Sequence, residues 1–282
     1  MAQAKALPRD VTYSARKATV GVFCASGPRI DETSRQRCRN IVANVAERIA
    51  ADVNMVDVVY SPILVDGESQ ADAVAQQFLD SGVNILVCTP DTWAFPQLSV
   101  ISLLGHFPKD IPINFTCGNS APKPGVVFSH AINGALAQYG KLSHLNVGNW
   151  PDTGDSPQMS DKTAQDLIDW VYAAAAKVSL RGKRVLVFGH DSMGMETALA
   201  NVIPVRNTFG VEFTRLDMKL LADMLQKGAY DAEEVKALRT WLDKHLGDRL
   251  EIPGQEESER FNQSLAMYLI LRDLMSDLNA VG

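Results

Sequence analysis

The 282-residue sequence lacks the features that mark several classes of protein. Its 33 acidic side chains outnumber its 27 basic ones, so the net charge is −6 and no strongly basic face is available for a phosphate backbone. No apolar run approaches membrane-spanning length, and the first residues lack the apolar core of a signal peptide. We therefore expect a cytoplasmic protein with neither nucleic acid nor membrane as a partner.

Sequence motifs for metal, nucleotide or nucleophilic chemistry are also absent. The four cysteines, at positions 24, 38, 88 and 117, show no CxxC spacing, which argues against a zinc site or a disulfide framework and favours buried free thiols. Neither a G-x-G-x-x-G fingerprint nor a P-loop occurs, so a nucleotide-binding Rossmann protein is the least favoured class. No histidine–glutamate metal motif appears either. On its residues alone, the chain predicts no catalytic set and no metal ligand.

What the sequence does contain is a regular alternation of short apolar runs and amphipathic stretches. The predicted strands are 19–24, 54–60, 84–89, 112–116, 142–147, 184–188 and 210–216. The predicted helices are 30–51, with Asp31 or Thr33 as its N-cap, and 69–81, 125–139, 160–178, 218–228, 231–245 and 258–280. This order predicts an α/β protein made of two consecutive Rossmann-like domains with doubly wound parallel sheets.

The boundary between the two domains is predicted near residue 180. A Pro-, Gly- and Asp-rich loop at 149–158 and a long helix precede the strand at 184–188, so we assign 1–180 to the first domain and 181–282 to the second. The second domain has only two clear strands, and its last helix has a broad apolar side. We expect this domain to be incomplete and to be covered by further chain or by another subunit.

Polar turns follow the predicted strands, at the sheet edge where open α/β proteins bind ligands. Arg29, after the first strand, is suited to an anionic or polyhydroxy ligand, but a solvated or intersubunit arginine also fits. Trp93, after the third strand, could stack on a sugar or belong to an interface or the core. Asn119 adds an amide after the fourth strand, and 148–150 follow the fifth. Together these turns predict a binding rim.

The turn at 189–194 opens a helix-compatible stretch, and its free N–H groups could hold an anion. The His190-Asp191 pair within it could serve metal or acid–base chemistry, although such isolated pairs are more often structural. Ser192 lies in no G-x-S-x-G motif, so a hydrolase nucleophile is unsupported.

Several segments resemble one known family. The strand RVLVFG, the turn Ser192-Met193-Gly194 and the stretch FGVEFTRLDMKLLADMLQKGAYDAEEVKALRTWLDKHL are similar to the start of the second domain of L-fucose isomerase and its relatives, which include L-arabinose isomerase. The helix SLAMYLILRDLM fits the same domain. GVFCASGPRID, ILVCTPDTWAF and KPGVVFSHAINGALAQYGKLSHLNVGN resemble the first domain of the family.

This resemblance implies an aldose–ketose isomerase that acts on a free sugar and assembles as a homo-oligomer, a hexamer or a trimer. In the family a Mn²⁺ ion, held by a Glu, an Asp and a His, polarises the sugar oxygens. Those ligands fall beyond the matched segment. Trp93 and Met193 match substrate-contacting residues, and Arg29 matches a third, with Arg35 as an alternative because the turn aligns poorly. Asn119 and Ser192 complete the expected substrate contacts.

Two hypotheses follow from the resemblance. In the first, the chain is the substrate-contacting and oligomerising N-terminal portion of the isomerase and is inactive by itself. In the second, it is a non-catalytic sugar-binding or regulatory module of the same fold, for which sugar binding would not depend on Mn²⁺. The sequence does not specify the sugar.

Overall fold

The structure is a computed structural model that describes residues 17–118, 125–150, 154, 156–189, 195 and 199–281. The chain divides into two compact units, Arg16–Ser179 and Leu180–Gly282. Strands and helices alternate in both, which confirms the predicted fold class of two consecutive α/β domains. No helix in the described ranges is both long enough and apolar enough to cross a membrane.

The first unit contains a five-stranded parallel sheet with the order β2-β1-β3-β4-β5. Its strands are β1 (Ala18–Ala25), β2 (Val56–Val65), β3 (Ile85–Cys88), β4 (Ile113–Gly118) and β5 (His144–Gly148). Every residue of β1 and β3 is buried, as expected of central parallel strands with helices on both sides. Burial on both faces therefore agrees with the position of β1 and β3 in the interior of the sheet.

Helices cover both faces of this sheet. They are α1 (Glu32–Asp52), α2 (Glu68–Asp80), a π-helical turn (Gln97–Ile101) that continues into α3 (Ser102–Leu104), α4 (Gly125–Gln138) and α5 (Asp161–Leu180). One apolar cluster joins α1 and α5 to Val20 and Val22 of β1. The other joins α2, α3 and α4 to Phe23 on the opposite face of the same strand. This is the doubly wound arrangement.

The edge strand β2 is longer than predicted. The sequence predicts its end at Tyr60, before Ser61-Pro62, but the strand continues to Val65. The pairing with β1 shifts where Val22 opposes Tyr60 and Cys24 opposes Leu64, so the proline falls among extra residues. A proline is tolerated in a bulge on an edge strand because its missing N–H leaves no ladder bond unmade.

The second unit has a two-stranded parallel sheet of β6 (Arg184–Phe188) and β7 (Glu212–Leu216). Its helices are α6 (Val202–Phe209), α7 (Met218–Gln226), α8 (Ala232–Leu246) and α9 (Gln255–Asp277), with a 3₁₀ turn at Gly247–Arg249. An apolar cluster of Val235 and Leu269 joins α8 to α9. Beside it the buried Arg272 forms two hydrogen bonds with Glu234, at 2.5 and 2.9 Å.

Candidate functional site

The switch point of the first sheet lies between β1 and β3. The helix that follows β1 packs on one face of the sheet, whereas the helical segment that follows β3 packs on the other. The two chain directions diverge at the carboxyl ends of these strands, and this is the place where open α/β sheets bind ligands. The turns at the switch point are residues 26–31, which follow β1, and the Trp93 turn, defined here as residues 89–93.

The turn after β1 begins with a buried serine. The Ser26 N–H donates to the Val65 carbonyl at 3.1 Å, whereas its hydroxyl has no hydrogen-bond partner in the described part of the chain although Ser26 is only 1% exposed. The turn ends at Asp31, whose carboxylate accepts the Ser34 N–H at 2.7 Å. This N-cap confirms one of the two expected ones and fixes the start of α1.

The two candidate arginines of this turn have different environments. Arg29 is exposed, and within the described residues it forms no hydrogen bond or ion pair. Arg35 instead pairs with Asp66 at 3.1 Å and donates to the Pro28 carbonyl at 3.3 Å. Arg35 therefore stabilises the turn through contacts with other residues of the protein, whereas the Arg29 guanidinium is exposed at this edge of the sheet.

Trp93 stands at the end of the turn after β3. Its side chain is 38% exposed, and its ring meets that of Phe128 edge to face, with centroids 6.2 Å apart. This contact holds one edge of the indole while part of its surface stays open. Trp93 is thus neither a fully buried core residue nor a freely rotating surface side chain.

The Trp93 turn lies directly against the turn after β1. Thr92 Oγ1 accepts the Gly27 N–H at 3.4 Å, and a Cβ at Gly27 would come within 2.8 Å of the Trp93 carbonyl oxygen. Glycine is therefore needed for this close approach. From the other side, a Cβ at Gly125 would lie 2.4 Å from the Pro90 carbonyl oxygen. The Trp93 turn is therefore packed closely against Gly27 on one side and Gly125 on the other.

A buried ion pair forms the base of the same turn. Arg37 of α1 donates from Nε to Asp91 Oδ2 at 2.8 Å and from Nη2 to Oδ1 at 3.4 Å. Its third nitrogen, Nη1, donates to the Gly154 carbonyl at 2.5 Å. This pair was not predicted from the sequence. The helical period could have indicated that Arg37 is buried, because Arg37 lies on the same side of α1 as Cys38 and Ile41. A buried arginine needs an acidic partner.

The cysteines near this site are buried, free thiols, as predicted. Burial raises the pKa of Cys88, and it raises the pKa of Cys117 to about 11, where a hydrogen bond from Ser129 opposes the shift and the charge of Asp91 adds to it. A hydrogen bond with Cys38, followed by burial, raises the pKa of Cys24. Thiols with raised pKa values stay protonated at neutral pH, so these are not nucleophiles.

The remaining candidate residues fall partly outside the described ranges. Asn119, Ser192 and Met193 lie outside them, as does the His190-Asp191 pair. At the end of β5, Trp150 is only 3% exposed and packs in the core, so this tryptophan does not extend the rim.

Among the described residues, no group of three or more His, Cys, Asp or Glu side chains could hold a metal ion. The described residues therefore do not by themselves supply the ligands of the Mn²⁺ that the resemblance implies.

Comparison with known proteins places both units in one family. Residues 17–182 match the family model described as the first N-terminal domain of L-fucose isomerase, and residues 183–281 match the model of its second N-terminal domain. The chain belongs to the L-fucose isomerase family. Its family membership was expected from the segments quoted above, and it is confirmed over nearly the whole chain.

Curated relatives are distant but match over most of this chain. L-fucose isomerase of Haemophilus influenzae strain PittEE is 24% identical over 231 residues, which are 79% of this chain and 38% of that protein. The enzymes of Bacteroides thetaiotaomicron and Vibrio vulnificus are 22% and 23% identical, and the matches cover 88% and 87% of this chain. Those matches cover 44% and 43% of the relatives, so the chain spans less than half of their length.

Proposed function

We propose that this chain is the N-terminal, substrate-contacting and oligomerising portion of an aldose–ketose isomerase that acts on a free sugar. The observation that carries the proposal is a partly exposed tryptophan and an exposed arginine on the two neighbouring turns of the switch point, in a chain of the L-fucose isomerase family. Sugars have an apolar ring face and a rim of hydroxyls, and these two side chains complement both.

Each residue has a distinct task in this proposal. The open face of Trp93 stacks on the apolar face of the sugar, and the Phe128 contact keeps the indole at a fixed angle. Arg29 donates hydrogen bonds to sugar hydroxyls because its guanidinium has no competing partner among the described residues. Asn119, Ser192 and Met193 are proposed as further contacts. These residues bind and orient the sugar, and none of them moves a proton.

The wider setting is part of the same proposal. The relatives are more than twice as long as the matched segment, and we propose that the metal site of the isomerase lies outside the residues matched here. There Mn²⁺ would polarise the sugar oxygens. We further propose a cytoplasmic homo-oligomer, a hexamer or a trimer, in which this chain contributes to sugar binding.

The proposal is tested by titrating the 282-residue chain with L-fucose and following tryptophan fluorescence. We expect a saturable change that Trp93→Ala abolishes or weakens at least tenfold, equivalent to about 1.4 kcal/mol of binding free energy. Trp241→Phe, in the second unit, serves as the matched control and should leave the affinity unchanged. No response in the wild-type chain, or an equal response in Trp93→Ala, would refute the assignment of Trp93.

A second measurement separates the isomerase from the non-catalytic module. The protein purified from its natural source is incubated with L-fucose and either MnCl₂ or EDTA, and the ketose formed is measured. Metal-dependent ketose formation supports the isomerase. Sugar binding that is unaffected by EDTA, with no ketose formed, would favour the module, which is consistent with the lack of a metal-binding group among the described residues.

A further inference from the structure

The buried ion pair between Arg37 and Asp91 connects parts of the chain that are far apart in sequence. Arg37 lies in the second turn of α1, and Asp91 belongs to the Trp93 turn, two residues before the tryptophan itself. The two side chains are only 8% and 11% exposed. The same guanidinium reaches the Gly154 carbonyl, which lies between β5 and α5. One side chain thus ties three segments together.

Stability alone gives a poor explanation of such a pair. Burying two charges costs desolvation energy that their attraction does not reliably recover, and well-packed apolar side chains often serve a core equally well. What an arginine offers instead is geometry, because its planar fork holds several acceptors at fixed angles. Here the fixed acceptors are a carboxylate in the Trp93 turn and a carbonyl in the loop beyond β5.

The glycine contacts of the Trp93 turn are with its backbone, whereas Arg37 acts on the Asp91 side chain. Gly27 and Gly125 limit the space on either side, and Thr92 accepts one hydrogen bond. Without a cation beside it, the Asp91 carboxylate would be a buried charge near the thiols of Cys24 and Cys117. We expect the carboxylate then to lose its fixed position, because an uncompensated buried charge is costly, and Trp93, two residues further along the same turn, to shift with it.

We propose that Arg37 is a positioning residue. It acts through Asp91 to hold the Trp93 indole in the position and orientation required for stacking on a sugar. The proposal rests on the proposed function for its consequence in binding, but the placement of Trp93 is a property of the protein without ligand. Arg37 does not touch the sugar. It determines where the side chain that does so is located.

The test uses the 282-residue chain labelled with 5-fluorotryptophan, whose ¹⁹F spectrum gives one resonance for each of the four tryptophans. Trp93→Phe assigns the relevant signal. We expect Arg37→Lys and Asp91→Asn to shift or broaden the Trp93 resonance and to leave that of Trp241 in place. In parallel, both variants should weaken L-fucose binding at least tenfold. Asp91→Asn keeps the test valid if an arginine variant folds poorly.

Arg272→Lys is the matched control, because Arg272 is an equally buried arginine that forms two hydrogen bonds with a carboxylate in the second unit. It should lower stability but alter neither the Trp93 resonance nor the sugar affinity. If Arg37→Lys behaves in the same way, the role of Arg37 is structural only and the proposal is wrong. If the wild-type chain does not bind L-fucose, the proposed function fails, whereas the ¹⁹F shift still decides the positioning role.

Discussion

Adding one methyl group at Gly125 tests how closely the candidate site is packed. Gly125 is the first residue of α4, and a Cβ there would lie 2.4 Å from the Pro90 carbonyl oxygen and 2.8 Å from the Asp91 Cα. Both contacts are with backbone atoms, which cannot rotate out of the way. Gly134, in the same helix, has no atom within 4 Å of the position its Cβ would take. The pair Gly125→Ala and Gly134→Ala thus separates crowding from helix propensity.

The expected effects have opposite signs. Gly134→Ala should stabilise the protein by roughly 0.5–1 kcal/mol, because alanine loses less backbone entropy in a helix interior. Gly125→Ala should destabilise it by about 1–3 kcal/mol, because a methyl group forced into a filled space moves the backbone. The two variants should therefore differ by about 1.5–4 kcal/mol on these scales.

Urea denaturation followed by tryptophan fluorescence measures this difference, since three of the four tryptophans lie in the first unit. L-fucose titration of the same variants reports on the site, and we expect weaker binding only for Gly125→Ala because the substitution displaces the Trp93 turn. If Gly125→Ala stabilises the chain as much as Gly134→Ala does, the close approach of α4 to this turn is wrong.

Two further predictions concern buried polar groups of the first unit. Asn114 is fully buried and neither amide atom has a hydrogen-bond partner in the described ranges, so Asn114→Leu should raise the free energy of unfolding by roughly 1 kcal/mol. Asn146→Leu should instead lower it by roughly 1–3 kcal/mol, because this amide donates to Thr116 and to the Thr163 carbonyl; equal effects in urea denaturation would contradict the assignment. Burial lowers the pKa of Lys141 to about 8, so between pH 8 and 10.5 the unfolded chain binds more protons and stability should rise with pH. That rise should be smaller in Lys141→Met when unfolding free energies at pH 7.5 and 10 are compared, and an identical rise would show that Lys141 is not its source.

Much of the fold could be predicted because local sequence and tertiary environment agree. The central strands β1 and β3 are continuous apolar runs, which is what burial on both faces requires. The last residues of β2 were missed because Pro62 normally ends a strand, and only the edge position of β2 makes the proline acceptable. The helical turns at 97–104 were also missed, since they are too short to show a period.

The candidate site was only partly predictable, because its decisive contacts are not local. Spacing could not choose between Arg29 and Arg35, which lie six positions apart. The two arginines differ because Arg35 pairs with Asp66, which directly follows β2. Arg37 and Asp91 are separated by 54 positions and leave no joint pattern in the sequence. Exposure of Trp93 likewise depends on Phe128, from a helix that begins after β4.

The distribution of cysteine makes the two units separately observable. All four thiols are buried in the first unit, and the second has none. A thiol reagent can therefore modify this protein only through openings of the first unit, and the labelling rate measures the free energy of those openings under native conditions. The second unit can unfold and refold without contributing to that signal. The natural sequence thus contains a probe of the unit that carries Trp93, with no label to introduce.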